Sequence, residues 1–413
     1  MLRRLTGVRS VENEIILFQI VLFQIILLHL QKICDMNIPF TYGKIVDELD
    51  FTDRLEETAH LVSCFQSLTN TAIISPRRWG KSSLVTKAVK ETEHKQKDIL
   101  FVRMNIFKCE NPQEFYELYA KRIMEEVSSS AESLLANAKE FISRLLPKLS
   151  LSDPSGQYEI ALGINVKDNP IEEDILDLPQ QIATKKKKKV VVCIDEFQQI
   201  GEFPDTVKFQ KILRNHWQEH KDVAYILYGS KKHMMLNIFG KNSGPFYRFG
   251  DMMFIEKITN EEWKKFIVTR FKDTGKTIAA ETAGYLAEQV ENHPYYVQQL
   301  AQYAWLRTKK TCTEEIVDSA LQAMLYSLNL QFVNLMDSLT EKQRNFLCAI
   351  SEGVKNLTSG ETLHQYRMGT SANIRIIKNA LLKRDLIDVT GKNIQIQDPL
   401  LKRWIIEEYS RIG

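Results

Sequence analysis

The sequence predicts a parallel α/β fold, and three observations carry that prediction. Short, near-continuous apolar runs alternate with stretches of helical periodicity, the pattern of a sheet covered on both faces. One run is followed by a Gly-Lys-Ser turn that opens a helix, and another ends in two adjacent carboxylates. From Asn260 onward the spacing of apolar residues is helical, until a last module with its own pattern.

The chain has 413 residues, 44% hydrophobic and 9% aromatic, with 55 Lys and Arg against 52 Asp and Glu. These values exclude wholesale disorder and a fibrous chain, and leave room for two or three domains. A formal charge of +3 excludes a histone-like polycation but not a local basic patch. The cysteines at 34, 64, 109, 193, 312 and 348 form no CxxC pair and have no neighbouring histidine cluster. Neither a disulfide scaffold nor a zinc site is expected, and a reducing, cytoplasmic setting fits.

Residues 15–30 (IILFQIVLFQIILLHL) follow three arginines and are almost wholly apolar. A bilayer span needs about 20 such residues, and Gln19, Gln24 and His29 interrupt this run. Residues 1–35 therefore read as a start placed too far upstream, a single membrane anchor or a packed helix. Met36–Phe40 reads as a natural beginning, and no membrane is expected unless residues 15–30 are a genuine anchor.

In order along the chain, residues 50–70 carry apolar positions at helical spacing, with acids in the first turn. Thr71–Ser75 and Ile99–Asn105 read as buried strands, with a helix from about Lys81 between them. One or two helices are expected over 112–149, an inserted hairpin over 151–169 and a helix over 171–184. Lys185–Lys189 reads as a solvated loop, with nucleic-acid contact as the alternative. Val190–Asp195 is the clearest buried strand, a helix spans about 205–220, and Ala224–Gly229 and Met253–Ile255 are further strands. Residues 260–338 read as helices only.

Ser75-Pro76-Arg77-Arg78-Trp79-Gly80-Lys81-Ser82-Ser83 lies between the first strand and its helix. It matches the phosphate-binding P-loop pattern G-x-x-x-x-G-K-[ST], with serine for the first glycine. Gly80 permits successive N–H groups to turn toward one centre, and the helix N-terminus adds its positive dipole end. Lys81 could reach the β- and γ-phosphates of ATP, and Ser82 could ligate Mg2+. Pro76 biases Ser75 toward extended backbone that continues the strand.

Asp195 and Glu196 end a buried strand, where α/β sheets bind ligands. Asp195 is expected to hold the Mg2+ shell and Glu196 to polarise the attacking water. Two acids after a strand could instead cap the next helix. Ser230, at another strand end, could hydrogen-bond the γ-phosphate or the water. Arg248 could stabilise charge on the transferred phosphoryl group, or be a surface residue of a basic loop.

At this point the chain resembles a known family: the archaeal-type P-loop ATPases, near the AAA+ origin-recognition initiators and the STAND signalling NTPases. The resemblance rests on Phe51-Thr52-Asp53-Arg54 with Glu56 and Glu57, on Ser75–Ser83, and on Val190–Glu196 with Phe197. Gly229-Ser230, Phe246–Phe249 and His293-Pro294-Tyr295-Tyr296 add to it. It runs from about Asn37 to the C-terminus and leaves out residues 1–35. It implies a P-loop NTPase parallel sheet with additional-strand (AAA-like) order, a helical lid and a C-terminal winged helix. It also implies that Phe51 and Arg54 lie near the adenine and that Pro294 reports nucleotide state. The expected division is 36–258 ATPase core, 259–338 lid and 339–413 winged helix.

The last module reads as three helices and a small hairpin, hence a winged helix-turn-helix. Residues 340–413 hold 12 Lys and Arg against 8 Asp and Glu, a surplus greater than the whole chain's. Arg375, Lys378, Lys383 and Arg384 form a candidate double-stranded DNA face, with an interaction surface as the alternative. Two functions follow: a Mg2+-dependent ATPase or slow nucleotide switch that positions a winged helix, or a STAND-like scaffold. The scaffold would bind ATP, hydrolyse little and act through a protein partner or self-association.

Overall fold

The computed structural model describes residues 38–44, 51–127, 149–152, 159–162, 175–391 and 393–409. The apolar run at 15–30 and the proposed start at Met36 lie outside the described residues. Among those described, no helix is long and apolar enough to cross a membrane.

Helix α1 (Leu55–Ser67) starts with Glu56 and Glu57 in its first turn, where acids favour the dipole, and ends at a left-handed Leu68. Strand β1 (Thr71–Ile74) leads through the P-loop into α2 (Lys81–Lys95), then β2 (Ile99–Asn105) and α3 (Pro112–Val127). A hairpin of β3 (Leu149–Ser152) and β4 (Glu159–Leu162) is inserted, as expected, beginning two residues earlier than the sequence indicates. Helix α4 (Leu178–Lys186) takes in the first lysines of the basic run, while Lys189 already belongs to β5 (Lys189–Asp195). A 3-10 turn (Phe197–Glu202), α5 (Thr206–Glu219), β6 (Val223–Gly229), α6 (Lys232–Phe239) and β7 (Asp251–Phe254) complete the core.

The five strands lie in the order β2-β5-β6-β1-β7, all neighbouring pairs parallel. Strand β6 thus separates the P-loop strand β1 from the acid-bearing β5, which is the additional-strand order. The central strands β1, β5 and β6 are buried because helices cover both faces: Trp217 and Phe115 pack on one side, Leu61 and Val85 on the other. In a parallel sheet all strands point the same way, so the loops after β1, β5 and β6 emerge at one edge. That edge carries the candidate site.

The lid follows, with α7 (Asn260–Asp273), β8 (Thr277–Ile278), α8 (Ala280–Gln289), α9 (Pro294–Arg307), β9 (Thr311–Cys312) and α10 (Glu314–Asp337). The expectation of helices only is corrected by the parallel pair β8–β9. Two residues per strand are too few to leave an alternating signature.

The last module has α11 (Glu341–Ser351), α12 (Gly360–Gln365), α13 (Ser371–Lys383), the antiparallel wing β10 (Ile387–Thr390) and β11 (Asn393–Ile396), and α14 (Pro399–Glu407). Thr340 and Gln343 form a capping box at α11. Asp398 caps α14 by accepting from the Leu400 and Leu401 N–H groups. Lid and winged helix share one continuous apolar core, in which Trp404 of α14 packs on Phe332 of α10. Phe40, far upstream, packs into the same core against Phe266 and Phe271.

Candidate functional site

The site begins with backbone geometry. Arg78 (φ 64°) and Gly80 (φ 90°) both adopt left-handed conformations, which wrap the loop and aim it at the start of α2. A glycine at 80 reaches that φ without the Cβ penalty. The Lys81 side chain is buried, and its ammonium donates to the carbonyls of Pro76 (3.0 Å) and Ser75 (3.4 Å). Burial lowers its pKa to about 8, against the opposing pull of Glu196 and Asp195.

Ser82 Oγ donates to Asp195 Oδ2 at 2.9 Å, joining the P-loop helix to the end of β5. Asp195 Oδ1 accepts from the Glu196 N–H at 2.8 Å. Burial raises the Asp195 pKa although the Ser82 bond favours the carboxylate. Glu196 sits in the left-handed region (φ 57°), and its Oε2 accepts from Ser230 Oγ at 2.9 Å and from Gln198 Nε2. The two strand ends β5 and β6 therefore meet through side chains as well as through their ladder. Gly229 makes this approach possible, since a Cβ there would come within 1.9 Å of Gln198 Oε1.

These groups open onto a cavity of about 570 Å3. Of the residues singled out from sequence, Phe51, Arg54, Arg77, Arg78, Trp79, Gly80, Lys81, Ser82, Ser83, Glu196, Ser230 and Pro294 line it. Asp195 reaches it through Ser82. Ser75 and Pro76 instead line a neighbouring cavity of about 440 Å3, on the other side of the loop. Arg248 does not line the cavity; it is exposed, left-handed (φ 54°), and lies over its own neighbour Tyr247.

Arg54 is buried and acts as a bracket rather than a free cation. It donates to Glu57 (2.8 Å), to the Glu256 carbonyl (2.7 Å) and to the Trp79 carbonyl (3.4 Å). The ammonium of Lys87 lies 4.2 Å from the centre of the Phe51 ring. Pro294 occupies the first turn of α9, where its missing N–H costs nothing. Beside it, burial lowers the His293 pKa to about 3, so the ring is neutral, and its edge contacts Trp79 of the P-loop.

Sequence reasoning missed the rest of the lining. Tyr42 and Lys44 come from the described N-terminal segment, and Trp263, Tyr295 and Gln298 from the lid. Arg78 lies over the Tyr295 ring at 4.5 Å, and Tyr42 meets the same ring edge-on. The aromatic spacing in the lid reads equally well as core, so it offers no distinguishing signal.

Residues close in the chain to the cavity lining are also tied to the winged helix. Tyr296 of α9 donates to Asp398, the cap of α14, and Lys232, two residues after Ser230, pairs with Asp388 of the wing at 2.8 Å. On α13, Arg375 is exposed and Lys378 half-buried, and Lys383 is exposed at its end. Arg384 follows the helix and donates to Ser338, so it is already partnered.

A parallel sheet of this order, with a P-loop after one strand and an acid pair at the end of the next strand but one, defines a P-loop NTPase. The chain belongs to the family described as an ATPase domain predominantly from Archaea, whose profile matches residues 51–300. A second profile, a probable winged helix domain, matches residues 330–407 and so begins within α10. A sequence comparison with curated proteins finds no match. Among solved structures, the chain is similar to a Walker-type ATPase of Pyrococcus abyssi. Identity is 16%, with 88% of this chain and 99% of that one covered and a TM-score of 0.61. It is also similar to the Aeropyrum pernix ORC2 protein in its ADPNP–ADP complexes. There identity is 15%, with 90% and 98% covered and a TM-score of 0.53. The ADP form of that protein gives 16%, 91% and 96%, and 0.50. At these identities the likeness is one of fold.

Proposed function

We propose that this protein is a Mg2+-dependent ATPase, working as a slow nucleotide switch, whose bound nucleotide sets the position of the winged helix. The observation that carries the reading is the meeting of Lys81, the Ser82–Asp195 pair and the Glu196–Ser230 pair at one cavity. Its left-handed loop and helix N-terminus suit a polyphosphate. The ORC2 structures carry ADP and ADPNP, which supports the same ligand class here.

Ser82 and Asp195 fit Mg2+: one hydroxyl and one carboxylate oxygen on separate elements, hard donors that leave the remaining positions to water and phosphate. Bound there, the ion would supply Lewis-acid neutralisation of phosphate charge. The protein's own groups do the remainder. Lys81 exchanges its two loop carbonyls for phosphate oxygens. Glu196 keeps Oε1 outside its two hydrogen bonds and would orient and polarise the attacking water from it. Ser230, bonded to Glu196, would couple that carboxylate to the γ-phosphate.

The sequence division into core (36–258), lid (259–338) and winged helix (339–413) is retained as part of this proposal, with lid and winged helix moving as one packed body. The link from Tyr296 to Asp398 and from Lys232 to Asp388 supports coupling of cavity to winged helix. Arg375, Lys378 and Lys383 would meet DNA phosphates; Arg384 would have to leave Ser338 to join them. The second reading is a STAND-like scaffold acting through a protein partner. It is favoured by the double restraint on Glu196 and by the docking of the wing on the core.

Glu196→Gln separates them. The expected result is retained ATP binding with hydrolysis lowered at least about a hundredfold, the scale of a general base. Unchanged single-turnover hydrolysis would remove Glu196 from the mechanism. Negligible hydrolysis in the parent chain itself would favour the scaffold.

A further inference from the structure

Another set of ligating side chains lies at the opposite edge of the sheet from the P-loop. His60 and Cys64 are four residues apart on α1 and so project from one face, one turn apart. Asp251 opens β7 and pairs in register with Thr71, the first residue of β1. One imidazole nitrogen, the Cys64 sulfur and a carboxylate oxygen all lie within 4.8 Å of one another. His60 Nε2 and Asp251 Oδ2 are 2.6 Å apart, with side chains 49% and 41% exposed, while Cys64 is 5% exposed. An ion arriving from solvent would thus meet two exposed ligands above a thiol floor.

We propose that His60, Cys64 and Asp251 bind a zinc-like divalent cation with water as the fourth ligand. The donor set argues for the class of metal. Imidazole with thiolate suits zinc, whereas Mg2+ and Ca2+ take oxygen. Bond lengths of about 2.0–2.3 Å at tetrahedral angles space neighbouring donors by about 3.3–3.6 Å. Opening the His60–Asp251 contact by rotating two exposed side chains reaches that spacing. Cys64 would bind as thiolate, releasing its proton to solvent. Asp251 is 187 residues beyond Cys64, so the three ligands show no motif in the sequence.

The consequence is structural. The ion would staple α1 to β7 at the end away from the nucleotide cavity. The two elements are already joined at the other end, where Arg54, just before α1, donates to the carbonyl of Glu256, two residues past β7. An ion at the far end would hold the same pair of elements at both ends.

The test uses the full chain, stripped with EDTA under a non-chelating reductant and held in excess Mg2+. Zn2+ is then added, and metal content after dialysis, zinc affinity and Tm are measured. About one zinc per chain and a raised Tm are expected. His60→Ala, Asp251→Asn and Cys64→Ser should each lower zinc affinity at least about tenfold while nucleotide binding persists. Co2+ loading should give a thiolate-to-cobalt charge-transfer band that Cys64→Ser abolishes. If Cys64→Ser misfolds, the two exposed-residue variants decide alone. No zinc uptake by the parent chain, or equal uptake and Tm shift in the variants, overturns the proposal.

Discussion

Raising the pH from 7 to 9 should weaken nucleotide binding about tenfold, and Lys81 is the reason. Burial lowers its pKa to about 8, so about nine-tenths of the chains carry the ammonium at pH 7 and about one-tenth at pH 9. Only the charged form exchanges its loop carbonyls for phosphate oxygens with a gain. A terminal phosphate ionises for the second time near pH 6, so the ligand's charge is nearly constant over this range. The tenfold change corresponds to about 1.4 kcal/mol. Titration with a fluorescent ADP analogue at fixed ionic strength reads it directly. Lys81→Arg, whose charge persists across the range, should bind with no such slope. A parent chain whose affinity is flat from pH 7 to 9 would refute the reasoning. Without nucleotide the sign for stability is opposite. The folded pKa lies below the ordinary 10.5, so the unfolded chain binds more protons between about pH 8 and 10.5, and Lys81 makes stability rise with pH across that window.

Two further outcomes are expected. Trp404→Ala should cost about 3–5 kcal/mol, since the ring is buried on Phe332 and its Nε1 donates to Asn329. Because lid and winged helix share that core, calorimetry should show both losing stability together; an early separate transition of the winged helix would contradict the shared core. Replacing Arg375 and Lys378 with alanine should weaken duplex DNA binding and lower the slope of log affinity against log salt by about 1.8. An unchanged slope would exclude these two residues from the phosphate contacts.

Much of the fold was legible because its signals are local. Val190–Ile194 is an unbroken apolar run because helices cover both faces of the sheet, and Ser75–Ser83 carries Gly80 and Lys81 where a strand hands a phosphate loop to a helix. The cap at Thr340 and the apolar positions Ile374, Ile377 and Leu381 of α13 are likewise one-turn patterns. Helix α14 escaped, although Asp398-Pro399 is a capped start, because it follows a hairpin that already completed the expected winged helix. Helix α6 was missed as well, being a single short segment between a strand and a basic loop.

The site divides in the same way. From Lys81, Ser82, Asp195, Glu196 and Ser230 alone, spacing and strand endings lead to the expectation of a phosphate and metal site, since each residue's expected role rests on its own neighbours in the chain. Which residues close the cavity was decided only in three dimensions. Tyr42, Tyr295 and Trp263 are brought to it by lid packing, and Arg54 spends its charge on Glu57 and two carbonyls. Arg248 does not line the cavity, and its guanidinium lies over the ring of its neighbour Tyr247. The sequence by itself determined the class of sheet, the phosphate loop and the winged-helix pattern, all set by interactions within a few residues. Only the tertiary structure decided that lid and winged helix share one core, that Asp388 and Asp398 tie the wing to the site, and that His60, Cys64 and Asp251 meet. Those contacts join residues far apart in the chain, and no local periodicity encodes them.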